Sequence, residues 1–326
     1  MRIGYGDYGY EWLDRWAQVP GSERERATQA HHGIVVTASD DIVLHHQADL
    51  AMQVLDQDGK VLRTWPTGLT GAHGMTLVRE NGADYLWLAE GKRLSDDGSP
   101  APQNGPFPPG RVVKMTLEGE VVQELAPPRL AVYREGRYAP TLVAVNADQE
   151  GGSGDIWVAD GYGEHHVHRY DKAGEYQSSI DGTEGTGGRF DCPHGVWIDW
   201  RNADPALYIA DRSNRQVQVY DLDGQFKRAF GADYLTSPSC FITYGEHLLV
   251  LELRARLTFL DRDDRLIGYL GENEAVCEIA GWPNVPHEHH QPGKFVAPHG
   301  VAADSTGNLF VAEWLKGGRV TKLVKS

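Results

Sequence analysis

The chain contains an internal repeat, and this feature restricts its fold more than any other. A short motif recurs through the 326 residues: a small residue, usually followed by proline or alanine and often by His-Gly, with an apolar run after it. The motif begins at six places: Ala30, Gly71, Ala139, Cys192, Ser237 and Ala297. Recurrence at this spacing indicates a repeat architecture, in which one supersecondary unit is used several times.

Each repeat has the pattern of four short strands. The motif is followed by a turn, by a second apolar run that usually ends in an acidic residue, and by a third strand such as VQVYD. A hairpin of Asp/Gly type, for example DQDG at Asp56 or DLDG at Asp221, leads to a fourth strand. Four short strands bounded by turn residues describe one propeller blade. We therefore predict an all-β fold, a six-bladed β-propeller, as a single domain over residues 1–326.

The two ends of the sequence complement each other. The last repeat stops after a third strand at residues 319–324, whereas residues 10–19 lie outside the repeats and resemble a fourth strand. We predict that this N-terminal strand completes the last blade, because the pairing would remove two exposed sheet edges.

The strand pattern and the linkers GTGGRFDCPHGV and QPGKFVAPHGV resemble NHL repeats. The formal net charge of −15 argues against a nucleic-acid partner, since phosphate binding needs a basic face. No apolar run is long enough to cross a bilayer, and the N-terminal residues do not have the pattern of a signal peptide. We therefore expect a soluble, cytoplasmic monomer that binds a small-molecule substrate and no membrane.

The first strand of each propeller blade lines the central channel, so one repeat position recurs around the axis. At this position the repeats carry, in order, His32, His73, Thr141, His194, Ser239 and His299. Histidines on alternate blades, with an open coordination position, match a catalytic zinc site. We predict that His73, His194 and His299 bind a metal ion, with zinc favoured and manganese, iron or copper as alternatives. His32 either joins this site or caps a strand.

A second repeat position lies at the end of the second strand and carries His46, Glu90, Asp160, Asp211, Glu252 and Glu313. An acid at this position of an NHL blade hydrogen-bonds backbone amides, so we predict a structural role for the carboxylates. His46 interrupts the acidic pattern and is an additional candidate site residue.

The residues around two of these acids carry a more specific resemblance. Blade three reads Ala159-Asp160-Gly161-Tyr162, and blade four reads Ile209-Ala210-Asp211-Arg212. Together with the three histidines, these segments resemble peptidyl-α-hydroxyglycine α-amidating lyase, a six-bladed propeller enzyme that holds zinc with three histidines. The resemblance implies that Tyr162 is the catalytic base and that Arg212 is an active-site cation.

The same resemblance implies a reaction. Zinc would polarise the hydroxyl group of a carbinolamide, and Tyr162 would take the hydroxyl proton with a pKa lowered by the metal and the nearby cation. Cleavage of the C–N bond would give an amide and an aldehyde. Arg212 would bind a carboxylate or stabilise developing charge.

The chain also departs from the lyase pattern. The lyase has a further arginine early in its first blade, where this chain reads Leu44-His45-His46-Gln47, and the replacement candidates are Lys92, Arg93 and Arg254. Gly300 stands in place of an acid of the lyase's structural calcium site, which argues against calcium here. The chain carries no monooxygenase unit, so we expect a hydroxylated small molecule rather than a peptide as substrate.

Two further groups of histidines are candidates. His165 is close enough to Tyr162 in sequence to reach the channel mouth, and alternation places His166 and His168 on one face of a strand. The segment 286–290, PHEHH, is either a lid over the site or a solvated loop with adventitious affinity for metals.

Two other functions compete with the lyase. A metal-dependent hydrolase, similar to lactonases on other six-bladed propellers, would use acidic and amide ligands for calcium, so the identity of the metal would distinguish it. A non-enzymatic NHL interaction scaffold would present a basic or apolar patch and bind no metal.

Overall fold

The structure is a computed structural model that describes residues 1–6, 8–17, 33–46, 51–91 and 109–326. Contacts divide the chain into two compact units. The first unit comprises Met1–Pro66 and Asp233–Ser326, and the second comprises Thr67–Ala232. The single domain over residues 1–326 stays a prediction, and each unit is described by itself.

Nearly all regular structure in the described residues is β-strand. In chain order the strands are β1 Arg2–Tyr5, β2 Tyr8–Leu13, β3 Ile34–Val36, β4 Ile42–His46, β5 Ala51–Leu55, β6 Val61–Pro66, β7 Ala72–Glu80, β8 Ala83–Glu90, β9 Arg111–Thr116, β10 Val121–Leu125, β11 Leu142–Val145, β12 Ile156–Ala159, β13 Val167–Tyr170, β14 Tyr176–Ile180, β15 Pro193–Asp199, β16 Ala206–Asp211, β17 Gln216–Tyr220, β18 Phe226–Phe230, β19 Pro238–Tyr244, β20 His247–Glu252, β21 Arg256–Leu260, β22 Leu266–Leu270, β23 Pro298–Ala303, β24 Leu309–Glu313 and β25 Arg319–Lys325. Short 3₁₀ helices lie at Ala131–Arg134, Asp148–Glu150, Glu274–Glu278 and His287–His289. None of these helices has the length and apolar character that a membrane crossing requires.

The described strands form six antiparallel sheets, and each sheet follows one sequence repeat. The second unit contains the sheets β7–β10, β11–β14 and β15–β18, and the first unit contains β3–β6, β19–β22 and the sheet that includes β23–β25. In each of them, strands that follow one another in sequence are paired, which is the meander of a propeller blade. The all-β, six-bladed β-propeller prediction is confirmed.

The N-terminal strand completes the last blade, as predicted. β2 pairs with β25, so that Trp12 lies opposite Leu323. The strand spans Tyr8–Leu13, shorter at its C-terminal side than the predicted 10–19, of which the last two residues lie outside the described part. β1 pairs with β2 as a fifth strand that the repeat pattern did not predict.

The core of each unit lies between adjacent sheets. In β12 and β16 every residue is buried, whereas the outer strands β10 and β14 are each buried only at their last residue. Trp157 is fully buried between β11–β14 and β15–β18, packed with residues such as Phe190 and Tyr220. Burial of a large apolar side chain contributes about 1.5–3 kcal/mol, so the inner strands hold each blade in place.

Candidate metal centre and active site

The repeat position that carries the histidines coincides with a β-bulge. The ladder between the first and second strands shifts register between Ala72 and Met75, between Pro193 and Gly195, and between Pro298 and Gly300. A bulge removes its residue from the regular alternation and turns the side chain in a new direction. The same backbone feature, a β-bulge in the first strand, therefore occurs at His73, His194 and His299.

The buried acids at the second repeat position fix the segment that precedes each first strand. Glu90 accepts hydrogen bonds from the amides of Thr70 and Gly71, at 2.7 and 3.0 Å. The same arrangement joins Asp160 to Ala139, Asp211 to Asp191, Glu252 to Thr236 and Ser237, and Glu313 to Val296 and Ala297. The predicted structural role of these carboxylates is confirmed. Three of the clamped segments lead directly into His73, His194 and His299.

In the second unit, two of the predicted ligands come together. His73 is 6% exposed and His194 is 2% exposed, and their ring centroids are 4.8 Å apart. Gly74 allows the segment beside His73 to approach the neighbouring blade at Thr141, because a Cβ atom at Gly74 would lie 2.1 Å from the carbonyl oxygen of Thr141. The Nδ1 atom of His73 lies 2.8 Å from that same carbonyl oxygen.

Tyr162 lies between these two histidines. Its hydroxyl oxygen is 3.1 Å from Nε2 of His73 and 3.1 Å from Nε2 of His194. The turn after β12 carries Tyr162 to this place, and Gly161 allows the turn to pass the neighbouring blade. A Cβ atom at Gly161 would lie 2.5 Å from the carbonyl oxygen of Pro193.

Arg212 follows β16 and lies beside the ring and the hydroxyl of Tyr162. Its Nη1 atom is 3.5 Å from the tyrosine hydroxyl, and its guanidinium carbon is 5.4 Å from the centroid of the tyrosine ring. Burial raises the pKa of the Tyr162 phenol, and the charge of Arg212 opposes that rise only in part. The lowered pKa expected for Tyr162 involves a bound metal ion together with this cation, and it stays a prediction.

The donor set fits a metal ion such as zinc. Because a carbonyl oxygen only accepts hydrogen bonds, Nδ1 of His73 carries the hydrogen, and the lone pair of Nε2 faces the Tyr162 hydroxyl. A backbone carbonyl on the second ring nitrogen is the usual partner of a metal-binding histidine. The Tyr162 hydroxyl faces both Nε2 atoms, so two imidazole nitrogens lie around one polar point. Imidazole nitrogens are ligands that zinc accepts readily.

His299 lies in the first unit and is 5% exposed. It follows Pro298 at the start of β23, and the amides of Val296 and Ala297 just before it are held by Glu313. Its backbone oxygen accepts a weak hydrogen bond from the Cys240 thiol at 3.7 Å. Its local setting matches that of His194, and its role as the third ligand stays a prediction.

The remaining candidates are placed as follows. His32, Lys92 and Arg93 lie outside the described residues. His46 is buried at the end of β4. His165 has a left-handed backbone and a partly exposed ring, with Nδ1 3.8 Å from Asp191.

Arg254 donates to Glu278 and lies 4.0 Å from Glu274, so acidic residues of its own unit already balance its charge. His166 and His168 do share a face, with nearly parallel rings 5.9 Å apart. In the segment 286–290, a short 3₁₀ helix spans His287–His289.

The sequence analysis missed Cys192. This residue precedes Pro193 and His194, is 7% exposed, and accepts a hydrogen bond from Nη2 of Arg212 at 3.1 Å. Burial raises the pKa of its thiol, although Arg212 opposes the rise. The available signal was its place in the motif, where the five other repeats have glycine, alanine or serine.

Comparison with known proteins agrees with the repeat pattern. No family model matches the sequence. The chain is 26% identical over 274 residues to NHL repeat-containing protein 3 of Homo sapiens, which covers 80% of this chain and 69% of the human protein. The Mus musculus protein of the same name is 27% identical over 274 residues, with the same coverage.

Solved structures of similar fold cover almost the whole chain. A streptogramin B lyase structure has a TM-score of 0.59 and 14% identity, and the match covers 97% of this chain and 98% of that one. Virginiamycin B lyase from Staphylococcus aureus has a TM-score of 0.55 and 13% identity over 97% of this chain and 99% of that one. The chain thus has the fold of these lyases and a repeat sequence similar to that of NHL repeat-containing proteins.

Proposed function

We propose that the protein is a metal-dependent lyase, with zinc as the preferred ion, that cleaves the C–N bond of a small carbinolamide. The observation that carries this proposal is the convergence of two imidazole Nε2 atoms on the hydroxyl of Tyr162, with Arg212 beside the same hydroxyl. These four side chains come from separate turns and strands, so their meeting is a property of the fold rather than of one sequence segment.

His299 is proposed as the third ligand. It has the same Pro-His-Gly motif as His194, the same bulge at the start of a first strand, and the same carboxylate clamp on the preceding segment. Like His73 and His194, it is buried and offers one ring nitrogen as a potential metal ligand. Three histidine ligands leave a fourth coordination position for substrate, as in catalytic zinc sites.

A bound zinc ion would polarise the hydroxyl oxygen of the substrate. Arg212 would bind a carboxylate or other anionic group of the substrate and so orient the hydroxyl group toward Tyr162. The phenolate oxygen of Tyr162, as the base, would accept the hydroxyl proton, and the charges of zinc and Arg212 would lower the pKa of the phenol to make this form accessible. As the C–N bond breaks, the hydroxyl carbon becomes a carbonyl and the proton passes from Tyr162 to the amide nitrogen that leaves.

The solved structures of similar fold support the choice of a lyase over a hydrolase. They are named as lyases, and one is a catalytically inactive histidine-to-alanine variant of virginiamycin B lyase with quinupristin. Quinupristin is bound to that lyase and is not the substrate proposed for this chain. The carbinolamide assignment rests on Tyr162 and Arg212 of this chain and on their resemblance to the amidating lyase.

The test combines metal content with turnover. Elemental analysis of tag-free protein should give about one zinc or other transition metal ion per chain, and an N-acyl α-hydroxyglycine should yield the amide and glyoxylate. The triple variant His73→Ala/His194→Ala/His299→Ala should lose the metal while keeping its β-sheet circular dichroism. Tyr162→Phe should keep the metal and lose turnover by 10²-fold or more, the order expected for a general base.

A matched control removes histidines elsewhere. His287→Ala/His289→Ala changes a histidine-rich 3₁₀ helix that could bind metal adventitiously, and this variant should keep both metal and turnover. Metal retained by the triple variant but lost from the control would overturn the three-histidine site. A parent protein that takes up no metal during reconstitution would instead favour the interaction scaffold.

A further inference from the structure

Cys192 has an unusual backbone for its place in the repeat. Its φ is 59°, in the left-handed region that disfavours residues with a Cβ atom. The same motif position in other repeats is occupied by Gly71, Ala139, Ser237 and Ala297, and none of these has a positive φ. Glycine would adopt the observed backbone without strain. The cysteine side chain adds backbone strain here, and we therefore expect one of its contacts to offset that cost.

That contact is with Arg212. The sulfur of Cys192 lies 3.1 Å from Nη2 of Arg212, and the backbone amide of Arg212 donates to the carbonyl oxygen of Cys192 at 3.1 Å. The cysteine therefore holds both the main chain and the side chain of the arginine. In the equivalent contact of the last blade, the amide of Trp314 donates to Ala297, which offers no side-chain acceptor.

The sulfur contact sets the direction of a rigid group. A guanidinium is planar, so fixing Nη2 on Cys192 also fixes Nη1, which lies 3.5 Å from the Tyr162 hydroxyl. Among the described residues, the guanidinium of Arg212 hydrogen-bonds these two side chains and no carboxylate. Its charge therefore remains available to an anionic group on a ligand.

We propose that Cys192 is a positioning residue that aims the guanidinium of Arg212 at an anionic group of the substrate. The inference deepens the proposed lyase function, on which its substrate part rests. A neutral thiol suits this role because its sulfur accepts the hydrogen bond without cancelling the charge of the arginine. An aspartate in the same place would form an ion pair and compete with the substrate.

Three substitutions separate the role of the sulfur from the role of the backbone. Cys192→Ala removes the acceptor and keeps the strained backbone, Cys192→Ser keeps an acceptor, and Cys192→Gly removes both the acceptor and the strain. Cys277→Ala, in the 3₁₀ helix Glu274–Glu278 of the first unit, is the control for loss of a thiol.

The first readout is the side-chain NMR spectrum of Arg212 in arginine-labelled protein, assigned with Arg212→Lys. In the parent and Cys192→Ser, slow rotation of the guanidinium should resolve its N–H signals. In Cys192→Ala and Cys192→Gly these signals should average, although Cys192→Gly should unfold at the same temperature as the parent or higher. This readout needs neither metal nor substrate.

The second readout is the Kd of benzoate, a simple carboxylate probe, by calorimetry. Loss of one hydrogen bond to a charged group predicts a Kd about tenfold higher in Cys192→Ala and Cys192→Gly than in the parent. Unchanged arginine signals and an unchanged Kd in Cys192→Ala would overturn the positioning role and leave the lyase proposal intact. A parent that does not bind benzoate would overturn the anionic substrate, and the arginine spectrum would still decide the role of Cys192.

Discussion

A single buried histidine shows how strongly the interior of the second unit controls protonation. His168 is 0% exposed, and its two ring nitrogens lie 2.7 Å from the hydroxyls of Tyr133 and Ser179. Tyr133 donates its own hydrogen to Asp160 at 2.6 Å, so it accepts from Nε2 of His168. The ring is thus held in its neutral form. The two hydroxyl groups that it contacts carry no negative charge that would stabilise a protonated ring.

We predict that His168 makes the protein less stable in mild acid. Burial, together with a smaller effect of the neighbouring His166, lowers the pKa of His168 to about 3. The folded protein therefore binds fewer protons than the unfolded chain between about pH 3 and pH 6.5, the ordinary pKa of histidine, and stability falls as the pH drops through this window. From pH 7 to pH 5, the loss from this residue is about 2 kcal/mol.

The measurement is the difference between two proteins. Burial raises the pKa of Asp160 to about 7, which gives the folded state an opposite gain as the pH falls. Chemical denaturation of the parent and of His168→Gln at pH 7 and pH 5 cancels this contribution, because Asp160 is present in both. The parent should lose about 2 kcal/mol more than the variant. An equal loss in both would contradict the prediction, and the exposed His287→Gln serves as the control.

At the scale of strands and turns, the repeat made some features predictable and left others hidden. The four-strand blades and the N-terminal strand beside β25 followed from hydrophobic alternation and from one strand missing at the end of the last repeat. β1 was missed, since Arg2–Tyr5 has no counterpart in any repeat. The bulges at His194 and His299 were equally hidden, because a register shift depends on how two strands pair and leaves no mark on composition.

The pairing of β2 with β25 predicts a sharp contrast between neighbouring residues. Trp12 is 3% exposed, packs on Phe295 with ring centroids 4.8 Å apart, and lies under the guanidinium of Arg319. Leu13 is the next residue on the strand and is 36% exposed. Trp12→Ala should lower the free energy of unfolding by about 3–5 kcal/mol, and Leu13→Ala by less than about 1 kcal/mol.

Urea denaturation of both variants checks this prediction. Similar small losses for Trp12→Ala and Leu13→Ala would mean that the N-terminal strand adds little to the last blade. A large loss for Leu13→Ala with a small loss for Trp12→Ala would mean that the strand has slipped by one residue, since such a slip exchanges its buried and exposed faces.

At the scale of the whole chain, the sequence predicted which residues would belong to the candidate site better than it predicted their chemistry. His73, His194, Tyr162 and Arg212 stand far apart in sequence, and the repeat alone placed them at equivalent or adjacent blade positions. Their protonation depends on burial and on close contacts with neighbouring blades. For that reason the raised pKa of Tyr162 and the sulfur of Cys192 beside Arg212 emerged only from the structure.

The proposed metal site couples binding to the folding of the chain. Its ligands His73, His194 and His299 are separated by 121 residues (194 − 73) and 105 residues (299 − 194). An unfolded chain cannot hold ligands at these separations around one ion, so the metal should bind the native state alone. Free metal at 100 times its Kd would then stabilise the native state by about 2.7 kcal/mol.

Removal of the metal should therefore lower the melting temperature of the parent by several degrees, measured by calorimetry with and without EDTA. The variant His73→Ala/His194→Ala/His299→Ala should melt at one temperature in both conditions, whereas His287→Ala/His289→Ala should respond as the parent does. A chelator response that persists in the triple variant would place the stabilising ion elsewhere in the molecule. A chelator response that is lost in the triple variant and kept in the control would place the stabilising ion at the three histidines, which come from three separate repeats.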